Sequence, residues 1–389
     1  MNHQQLLNPV AAGIPPSGIR KFFDILDEME DVISLTVGEP DFVTPWGIRA
    51  ESIRSLEHGH THYTSNIGLL ELRRQIAAYQ QRRFGLSYDP DREILVTVGG
   101  SEAIDLAFRA LLRPGDEVVV HEPSFVCYCP LARLAGAEPV VVETKVRDEF
   151  RLTPEALERA ITPRTKAVVL SFPNNPTGAV LEKEHLEALA EVLLRHEVYV
   201  ISDEIYAELN YTGRRHCSIA SLPGMRERTL VVSGFSKAFA MTGWRLGYVL
   251  AVPEVTEVMK KIHQYALMCS PTASQYGAIE ALRSCEPDMQ SMVREYDRRR
   301  RLILKGLRDL GLPCFEARGA FYVFPDISRF GMSSEDFCSD LLQSQHVAMV
   351  PGTAFGESGE GFVRVSYAYS IKNITEALRR LEAYIKART

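Results

Sequence analysis

The strongest constraint on the fold is a regular alternation of apolar runs with amphipathic segments between residues 93 and 235. The runs that read as strands are, in chain order, ILVTV, EVVVHE, EPVVVE, KAVVLSF, VYVISDE and TLVVSGF. The segments between them include SEAIDLAFRALL, LARLAGA, PEALERAI and Lys183–His196, whose apolar residues recur with the helical period. Apolar strands separated by helices are typical of βαβ units, so the sequence predicts an α/β fold around a parallel sheet.

The character of the chain changes after about residue 285. A long charged helix is followed by the short motifs GAFYVFP, VAMVPGTAFG and GFVRVSYA, and then by a terminal helix. We predict a large domain over residues 40–285 and a smaller α+β domain that joins residues 1–39 with residues 286–389. The N-terminal part carries an amphipathic stretch from Ile19 to Met29, and the basic run Arg298–Arg301 is interpreted as a solvated helix face.

The composition of the chain excludes several classes of function. The 389 residues include 44 Lys and Arg against 50 Asp and Glu, and the net charge of −6 gives no electrostatic footprint for nucleic acid. No apolar run approaches the ~20 residues of a membrane span, and the first residues lack the pattern of a signal peptide. Cys127 and Cys129 form a lone close pair, so we expect reduced thiols. The sequence predicts a cytoplasmic protein that handles small molecules, without a nucleic-acid or membrane partner and without a metal.

Two loops that follow strand-like runs offer groups for an anion or a ligand oxygen. Gly99-Gly100-Ser101 precedes a helix, where glycines let the backbone approach a phosphate and the helix N-terminus attracts negative charge. A plain capped turn explains this loop equally well. FPNNPTG follows the run KAVVLSF and offers the side-chain amide of Asn175, although a purely structural turn is an equal alternative.

Two later loops add ionisable side chains. Asp203 ends a strand, where a carboxylate needs a cationic partner, and Tyr206 follows within reach; a helix cap is the alternative. Lys237 lies just beyond an apolar strand, where a desolvated lysine can form a Schiff base with a carbonyl. Arg245 offers a fork for phosphate oxygens. A phosphate loop, an aspartate, a lysine nucleophile and an arginine in this order match the needs of pyridoxal 5′-phosphate (PLP).

The chain resembles the fold-type I, class I aminotransferases in seven motifs, which occur in the same order as in that family and extend over nearly the whole chain. They are VGEPDF, HYTSNIGLLELR, GGSEAIDLAFRAL, NNPTG, SDEIY, SGFSKAFAMTGWRLGY and FVRVSYA. Within that family the chain looks like the bacterial branch with aminotransferase A and its aromatic, aspartate and N-acetyl-diaminopimelate relatives. The resemblance implies the PLP-dependent transferase fold type I, with a mostly parallel seven-stranded sheet between helices in the large domain. It also implies a homodimer with shared active sites.

The resemblance assigns roles to individual residues. Lys237 matches the lysine that forms the Schiff base and moves the proton, and Asp203 matches the carboxylate on the pyridine nitrogen. Arg364 matches the fork for the substrate α-carboxylate, helped by the backbone at Gly38. The remaining matches are the partners of the phenolic oxygen (Tyr206 and Asn175), the stacking ring (Phe125), the phosphate cup (Gly100, Ser101 and Arg245) and the tyrosine that reaches the neighbouring subunit's phosphate (Tyr63).

The chain departs from the family pattern at the phosphate cup and in its charges. Gly234 stands three residues before the lysine, where many relatives carry a phosphate-binding serine, and Ser236 directly precedes Lys237 instead. No second arginine is evident for a distal carboxylate. The expected reaction moves the α-amino group of an aromatic, aspartate or diaminopimelate-type L-amino acid to 2-oxoglutarate by a ping-pong mechanism. The alternative is a PLP-dependent β-lyase acting on cysteine S-conjugates such as cystathionine.

Two further features are weaker. His58, His60 and His62 would share one face of a strand and could then hold a metal, but the resemblance places them in an irregular stretch before Tyr63. Tyr322 is expected to line the substrate pocket.

Overall fold

A computed structural model of the chain describes residues 31–388, together with residues 1, 3–16, 18 and 29. Of the amphipathic stretch predicted from Ile19 to Met29, all but Met29 lies outside the described residues. The strands are β1 (Ile33–Ser34), β2 (Ile94–Thr97), β3 (Glu117–Glu122), β4 (Glu138–Glu143), β5 (Thr165–Ser171), β6 (Tyr199–Asp203), β7 (Thr229–Gly234), β8 (Gly247–Leu250), β9 (Tyr322–Val323), β10 (Val347–Ala348), β11 (Val350–Pro351) and β12 (Val363–Ser366). The α-helices are α1 (His3–Leu6), α2 (Pro9–Gly13), α3 (Trp46–Glu57), α4 (Leu70–Phe84), α5 (Gly100–Leu111), α6 (Tyr128–Leu134), α7 (Pro154–Ala160), α8 (Lys183–Leu193), α9 (Pro253–Ala266), α10 (Thr272–Ser284), α11 (Glu286–Asp309), α12 (Ser334–Gln345) and α13 (Ile371–Lys386).

The central element is a seven-stranded sheet of order β2-β8-β7-β6-β5-β3-β4. All neighbouring strands from β7 to β4 pair in parallel, and only β8 runs antiparallel to both of its neighbours, β2 and β7. The prediction of an α/β fold with a mostly parallel seven-stranded sheet is confirmed. The carboxyl ends of β5 and β6 lie side by side, because Ser171 is paired with Asp203.

The sheet is covered on both faces, and successive strand residues alternate between two cores. Val118 and Val120 pack into one apolar cluster, whereas Val119 packs into another. The first cluster includes the apolar face of α5 and the second includes that of α8. Side chains of a strand point alternately to opposite faces, so the middle of a strand that is buried on both faces is apolar at successive positions. This explains why the strands read as continuous apolar runs.

Two smaller sheets lie beside the central one. Strand β1 pairs in parallel with β10, and β12 pairs antiparallel with both β11 and β9. These strands come from the beginning of the described continuous chain and from its last third. They carry Thr36, Tyr322 and Arg364 on or next to them.

Three local predictions need correction. Strand β8 was not predicted, because its four residues sit in a glycine-rich motif without the flanking turn signals of a strand. Helix α8 ends at Leu193 and not at His196. The interpretation of Arg298–Arg301 as a solvated face is wrong for its two central residues.

Arg299 and Arg300 are buried, whereas the side chains of Arg298 and Arg301 are more than two-thirds exposed. A helix turns by about 100° per residue, so four consecutive arginines cannot share one face. Arg299 Nη1 donates to Asp41 Oδ1 at 2.7 Å, and Arg300 Nη1 donates to the carbonyl of Ala317 at 3.1 Å. Among the described residues, no helix is long and apolar enough to cross a membrane.

Candidate active site

A cavity of about 350 Å³ lies at the carboxyl ends of the central strands, and elements from both parts of the chain form its wall. Ser171 and Asp203 come from the ends of β5 and β6, and Gly100 begins α5. Tyr322 and Arg364 come from β9 and β12. The predicted site residues that line it are Gly38, Gly100, Ser101, Phe125, Asn175, Asp203, Tyr206, Ser236, Lys237, Arg245 and Arg364. Tyr63 does not line the cavity; it is 80 % exposed.

Lys237 lines the cavity, and its pKa is unusually low for a lysine. Burial lowers its pKa to about 8, and Arg364 and Arg245 act in the same direction, while Glu39 opposes them. Its Nζ atom donates to the carbonyl oxygen of Gly38 at 2.6 Å. A lysine near pKa 8 has a substantial neutral fraction close to neutral pH, and the neutral amine is the nucleophile.

Asp203 is a buried carboxylate at the end of β6. Burial raises its pKa, and hydrogen bonds from the Tyr128 hydroxyl (2.7 Å) and the Ile205 backbone N–H (3.2 Å) lower it. None of the ion pairs found among the described residues includes Asp203. A buried carboxylate without a cation is costly, so this side chain is suited to a cationic ligand atom.

The end of the cavity near α5 is built for an anion. Gly100 and Ser101 begin α5, whose first backbone N–H groups and dipole favour negative charge. Arg245 stands beside them with a left-handed backbone (φ 51°), an unusual conformation for a residue with a side chain. Gly99 (φ 82°) makes room for it, since a Cβ atom there would lie 2.7 Å from Arg245 Nη2.

The structure accounts for the glycine that departs from the family pattern. A Cβ atom on Gly234 would lie 2.9 Å from the Cα atom of Gly247, on the neighbouring strand β8. A serine at this position therefore requires the two strands to move apart. Ser236, in contrast, lines the cavity.

Arg364 is buried in the cavity wall and, like Asp203, forms no ion pair within the described residues. Its Nη1 donates to Asn175 Oδ1 at 3.0 Å, and its Nη2 donates to the carbonyl of Thr36. The guanidinium carbon lies 4.6 Å from the ring centre of Tyr322 and 4.8 Å from that of Phe355. Its Nε has no hydrogen-bond partner in the described part of the chain, and burial lowers its pKa. A carboxylate would satisfy this cation by a forked contact.

Two tyrosines connect the centre of the cavity to this guanidinium. Tyr206 and Tyr322 are buried, and their hydroxyl oxygens lie 2.8 Å apart. Tyr322 Oη also occupies the space above Gly38, where a Cβ atom would lie 2.6 Å from it. Tyr322 lines the cavity, as the sequence predicts, and it explains why Gly38 has no side chain.

Several residues of the cavity had no functional assignment from the sequence. Tyr128, Ser171, Glu39 and Thr242 line it, and Thr242 Oγ1 donates to Glu39 Oε2 at 2.9 Å. Glu39 lies in the motif VGEPDF and Thr242 in SGFSKAFAMTGWRLGY, whereas Tyr128 and Ser171 lie outside the seven motifs. The histidines at positions 58, 60 and 62 follow the end of α3 in an irregular stretch. Within the described residues, no group of three or more His, Cys, Asp or Glu side chains could hold a metal ion.

The residues present fit PLP by their chemistry. The α5 N-terminus and Arg245 would hold a phosphate, the unpaired Asp203 would hold a pyridinium nitrogen, and the weakly basic Lys237 would hold the aldehyde carbon. Asn175 Oδ1 accepts from Arg364, which leaves the amide nitrogen of Asn175 to donate to a ligand oxygen. The cavity volume lies in the range of cofactor sites.

The fold and these residues define a class of enzyme. Residues 30–381 match the sequence profile of the family described as aminotransferase class I and II, and the chain belongs to that family. It is therefore a PLP-dependent aminotransferase that acts on amino acids and oxo acids. The resemblance noted from the motifs is confirmed.

Individual relatives cover almost the whole chain. An aspartate aminotransferase of Pyrococcus abyssi is 46% identical over 375 residues, which are 96% of this chain and 96% of the relative. Aromatic-amino-acid aminotransferase 2 of Thermococcus litoralis is 44% identical over 375 residues, again 96% of each. The solved structure of an aspartate aminotransferase from Thermus thermophilus with maleate superposes with a TM-score of 0.92 at 41% identity, covering 97% of this chain and 99% of the other.

Proposed function

We propose that this chain transfers the α-amino group of an L-amino acid to 2-oxoglutarate by a ping-pong mechanism in which Lys237 holds PLP. The proposed donors are aromatic, aspartate or diaminopimelate-type amino acids. One observation carries the proposal: a single cavity holds a half-buried lysine of lowered pKa together with a buried carboxylate and a buried guanidinium that form no ion pair within the described residues. When bound, PLP supplies a reactive aldehyde carbon and a ring that accepts electrons from the substrate Cα.

Lys237 has two tasks in this proposal. Its neutral amine holds the cofactor, and once released it takes the proton from the substrate Cα and later returns it to the cofactor. Both tasks require a neutral amine near physiological pH, which the pKa of about 8 supports. The carbonyl oxygen of Gly38, 2.6 Å away, holds the amine on the substrate side of the cavity.

The remaining cofactor contacts are proposed from the geometry of the cavity wall. Asp203 balances the charge of the pyridine nitrogen, and the rings of Phe125 and Tyr206 bound the same space. Tyr206 and Asn175 donate to the phenolic oxygen. Gly100, Ser101, Ser236 and Arg245 hold the phosphate, which the α5 N-terminus and the guanidinium favour.

Arg364 is the proposed binding group for the α-carboxylate shared by amino and oxo acids, with Gly38 beside it. The cationic side chains of the cavity are Lys237, Arg245 and Arg364, and each already has a role. A distal carboxylate must therefore find its partner outside this lining. Val37, Ile104 and the Tyr322 ring line other parts of the wall and suit an aromatic side chain. We expect an aromatic donor to react faster than aspartate.

The proposal includes a homodimer with shared active sites. Tyr63 lies outside the cavity of its own chain and is 80 % exposed, as a residue must be if it serves the phosphate of a second copy. Val43, Trp46 and Tyr265 are also strongly exposed. Large apolar side chains that are solvent-exposed in one chain are typical of surfaces that another protein covers.

Domain organisation and location follow the same proposal. We propose a large domain over residues 40–285 and a small domain of residues 1–39 with 286–389, with the cavity between them. Its wall combines Asp203 and Lys237 of the former with Gly38 and Arg364 of the latter. We propose the cytoplasm as the location, which the seven free cysteines support because reduced thiols are typical of that compartment.

The test is a half-reaction with the purified holoenzyme and one amino acid at a time, without any oxo acid. We expect the absorption of the bound cofactor to change to that of its amine form, with one oxo acid released per site. Phe and Tyr should react faster than Asp. Lys237→Ala should bind PLP noncovalently and lose turnover, whereas Lys166→Ala, which alters a half-buried lysine above the Tyr199 ring, should react normally.

Two outcomes would contradict the proposal. Normal turnover of Lys237→Ala would remove the lysine from the reaction. Release of pyruvate from cystathionine, with the cofactor spectrum unchanged at the end, would identify a β-lyase.

A further inference from the structure

Tyr128 lines the cavity but has no role in the proposed reaction as described above. It begins α6 and is 1 % exposed. Its hydroxyl oxygen lies 2.7 Å from Asp203 Oδ2 and 2.9 Å from Ser171 Oγ, and it lines the cavity. The contact joins residues 75 positions apart in the sequence, so only the folded chain creates it.

The protons of this cluster can be assigned from its chemistry. A tyrosine has one hydroxyl proton and a carboxylate can only accept, so the Tyr128 proton points to Asp203. The Ser171 hydroxyl is then the group that donates to Tyr128 Oη. Burial and the neighbouring Asp203 raise the pKa of Tyr128 well above its ordinary value, so it stays a neutral donor.

The backbone behind Ser171 is also fixed. Its N–H donates to His121 Nε2 at 3.3 Å, and the His121 ring stacks on Phe172 with centres 4.7 Å apart. Burial lowers the pKa of His121 to about 4, so this ring is neutral and can accept that bond. The hydroxyl that directs the Tyr128 proton is therefore held at the end of β5.

Few groups support the Asp203 charge. The titratable groups that act on it or face it are Tyr128 and Cys127 of the α6 region, Glu204 and Tyr206 after β6, and Lys237 across the cavity. Glu204 disfavours a negative charge on Asp203, and Lys237 favours it only weakly. After burial, the Tyr128 hydrogen bond is the largest influence on this carboxyl, and the Ile205 N–H is the next.

We propose that Tyr128 is a positioning residue that holds Asp203 ionised and aimed at the pyridine nitrogen of the cofactor. This inference rests on the proposed function, because it assigns a task relative to PLP. Tyr128 also packs edge-on against Phe125, with ring centres 6.0 Å apart and planes at 81°. One side chain thus contacts both the carboxylate that would hold the pyridine nitrogen and the proposed stacking ring.

The test is Tyr128→Phe, which removes the hydroxyl and keeps the ring. The readout is the ¹⁵N resonance of enzyme-bound PLP labelled at the pyridine nitrogen, followed against pH without substrate. A hydrogen bond to a charged group contributes enough for a change of about tenfold to a hundredfold in a protonation constant. Losing this bond should raise the protonation constant of Asp203 by that factor, which favours a proton on the carboxyl over one on the pyridine nitrogen, so the ¹⁵N titration should shift to lower pH. PLP should also dissociate more readily.

The matched control is Tyr88→Phe. Tyr88 is buried, its hydroxyl has no hydrogen-bond partner in the described part of the chain, and it lies outside the cavity. Its variant should reproduce the wild-type ¹⁵N titration. Ser171→Ala is the second variant, and it should shift the titration in the same direction by less, which also provides a test if Tyr128→Phe does not fold.

The outcomes separate this inference from the proposed function. A wild-type titration in both Tyr128→Phe and Ser171→Ala would overturn the role of Tyr128 and leave the proposed function intact. Weaker PLP binding with an unchanged pyridine titration would also overturn it, because that result indicates packing alone. A wild-type protein that holds no PLP on Lys237 after borohydride reduction would overturn both.

Discussion

Replacing Arg364 with lysine tests the most exact geometric element of the proposed site. The arginine uses Nη1 and Nη2 on Asn175 and Thr36, and it lies between two aromatic rings. Lysine keeps the positive charge but has one nitrogen instead of a planar fork, so it cannot make two parallel bonds to a carboxylate while it also satisfies Asn175. We expect the loss of one charge-assisted hydrogen bond, worth about 1.5–3 kcal/mol. This corresponds to a decrease of about tenfold to a hundredfold in apparent affinity.

The assay is the half-reaction in both directions, with amino acids added to the PLP form and oxo acids added to the amine form. The α-carboxylate is common to both, so the second-order rate constants should fall by similar factors. The absorption of the cofactor before substrate addition should not change. Arg300→Lys is the control, because Arg300 is equally buried and also lies over an aromatic ring, that of Tyr211, but does not line the cavity.

Two results would refute the reasoning about Arg364. A change smaller than about twofold would show that the fork does not bind the carboxylate, since even a weak charge-assisted bond is worth more. A decrease limited to one class of substrate would show that Arg364 contacts a side chain and not the shared carboxylate.

Two further predictions address the lysine and the second subunit. In the protein without cofactor, the acylation rate of Lys237 should rise with pH and level off above about 8, because only the neutral amine reacts. The reference compound is N-acetyl-lysine, whose amine has an ordinary pKa near 10.4. A Lys237 rate that keeps rising in parallel with that of the reference would contradict the lowered pKa. When the inactive variants Tyr63→Ala and Lys237→Ala are mixed in equal amounts and exchange subunits, about a quarter of wild-type activity should return. Half of the dimers then contain both variants, and one of the two sites in each has both native residues. No recovery of activity after subunit exchange has been verified would contradict shared sites.

The sequence predicted most of the central sheet, and the reason is physical. The middle residues of strands β3 and β5 are buried on both faces and are apolar in succession, so the runs VVV and AVVL stand out, while polar residues such as His121 and Ser171 lie towards the strand ends. The sequence does not predict strand β8, because it has only four residues and begins at a glycine, Gly247, that lies in close backbone contact with Gly99. Short strands between glycines give no periodic signal.

The sequence predicts those site residues whose chemical type is unusual for their position. It does not predict residues whose role depends only on contacts made in the folded chain. Lys237 and Asp203 are conspicuous after apolar strands, and the structure brings them to one cavity. Tyr128 looks like a core residue, since its role depends on a carboxylate 75 positions away. The predicted exposure of Arg299 and Arg300 is wrong, because charge alone does not indicate exposure. Buried arginines are stable when carboxylates or carbonyls accept hydrogen bonds from them.

The unpaired charges of the cavity are themselves an argument about ligands. Asp203 and Arg364 are buried and Lys237 is half-buried, yet no ion pair within the described residues joins any of them to another side chain. Elsewhere the chain pairs its buried charges, as it does for Arg299 with Asp41. Burial without a partner destabilises a fold, so such charges concentrate where a ligand completes them. A pyridinium, a phosphate and an α-carboxylate would complete Asp203, Arg245 and Arg364 in turn, which is the charge pattern that the proposed reaction requires.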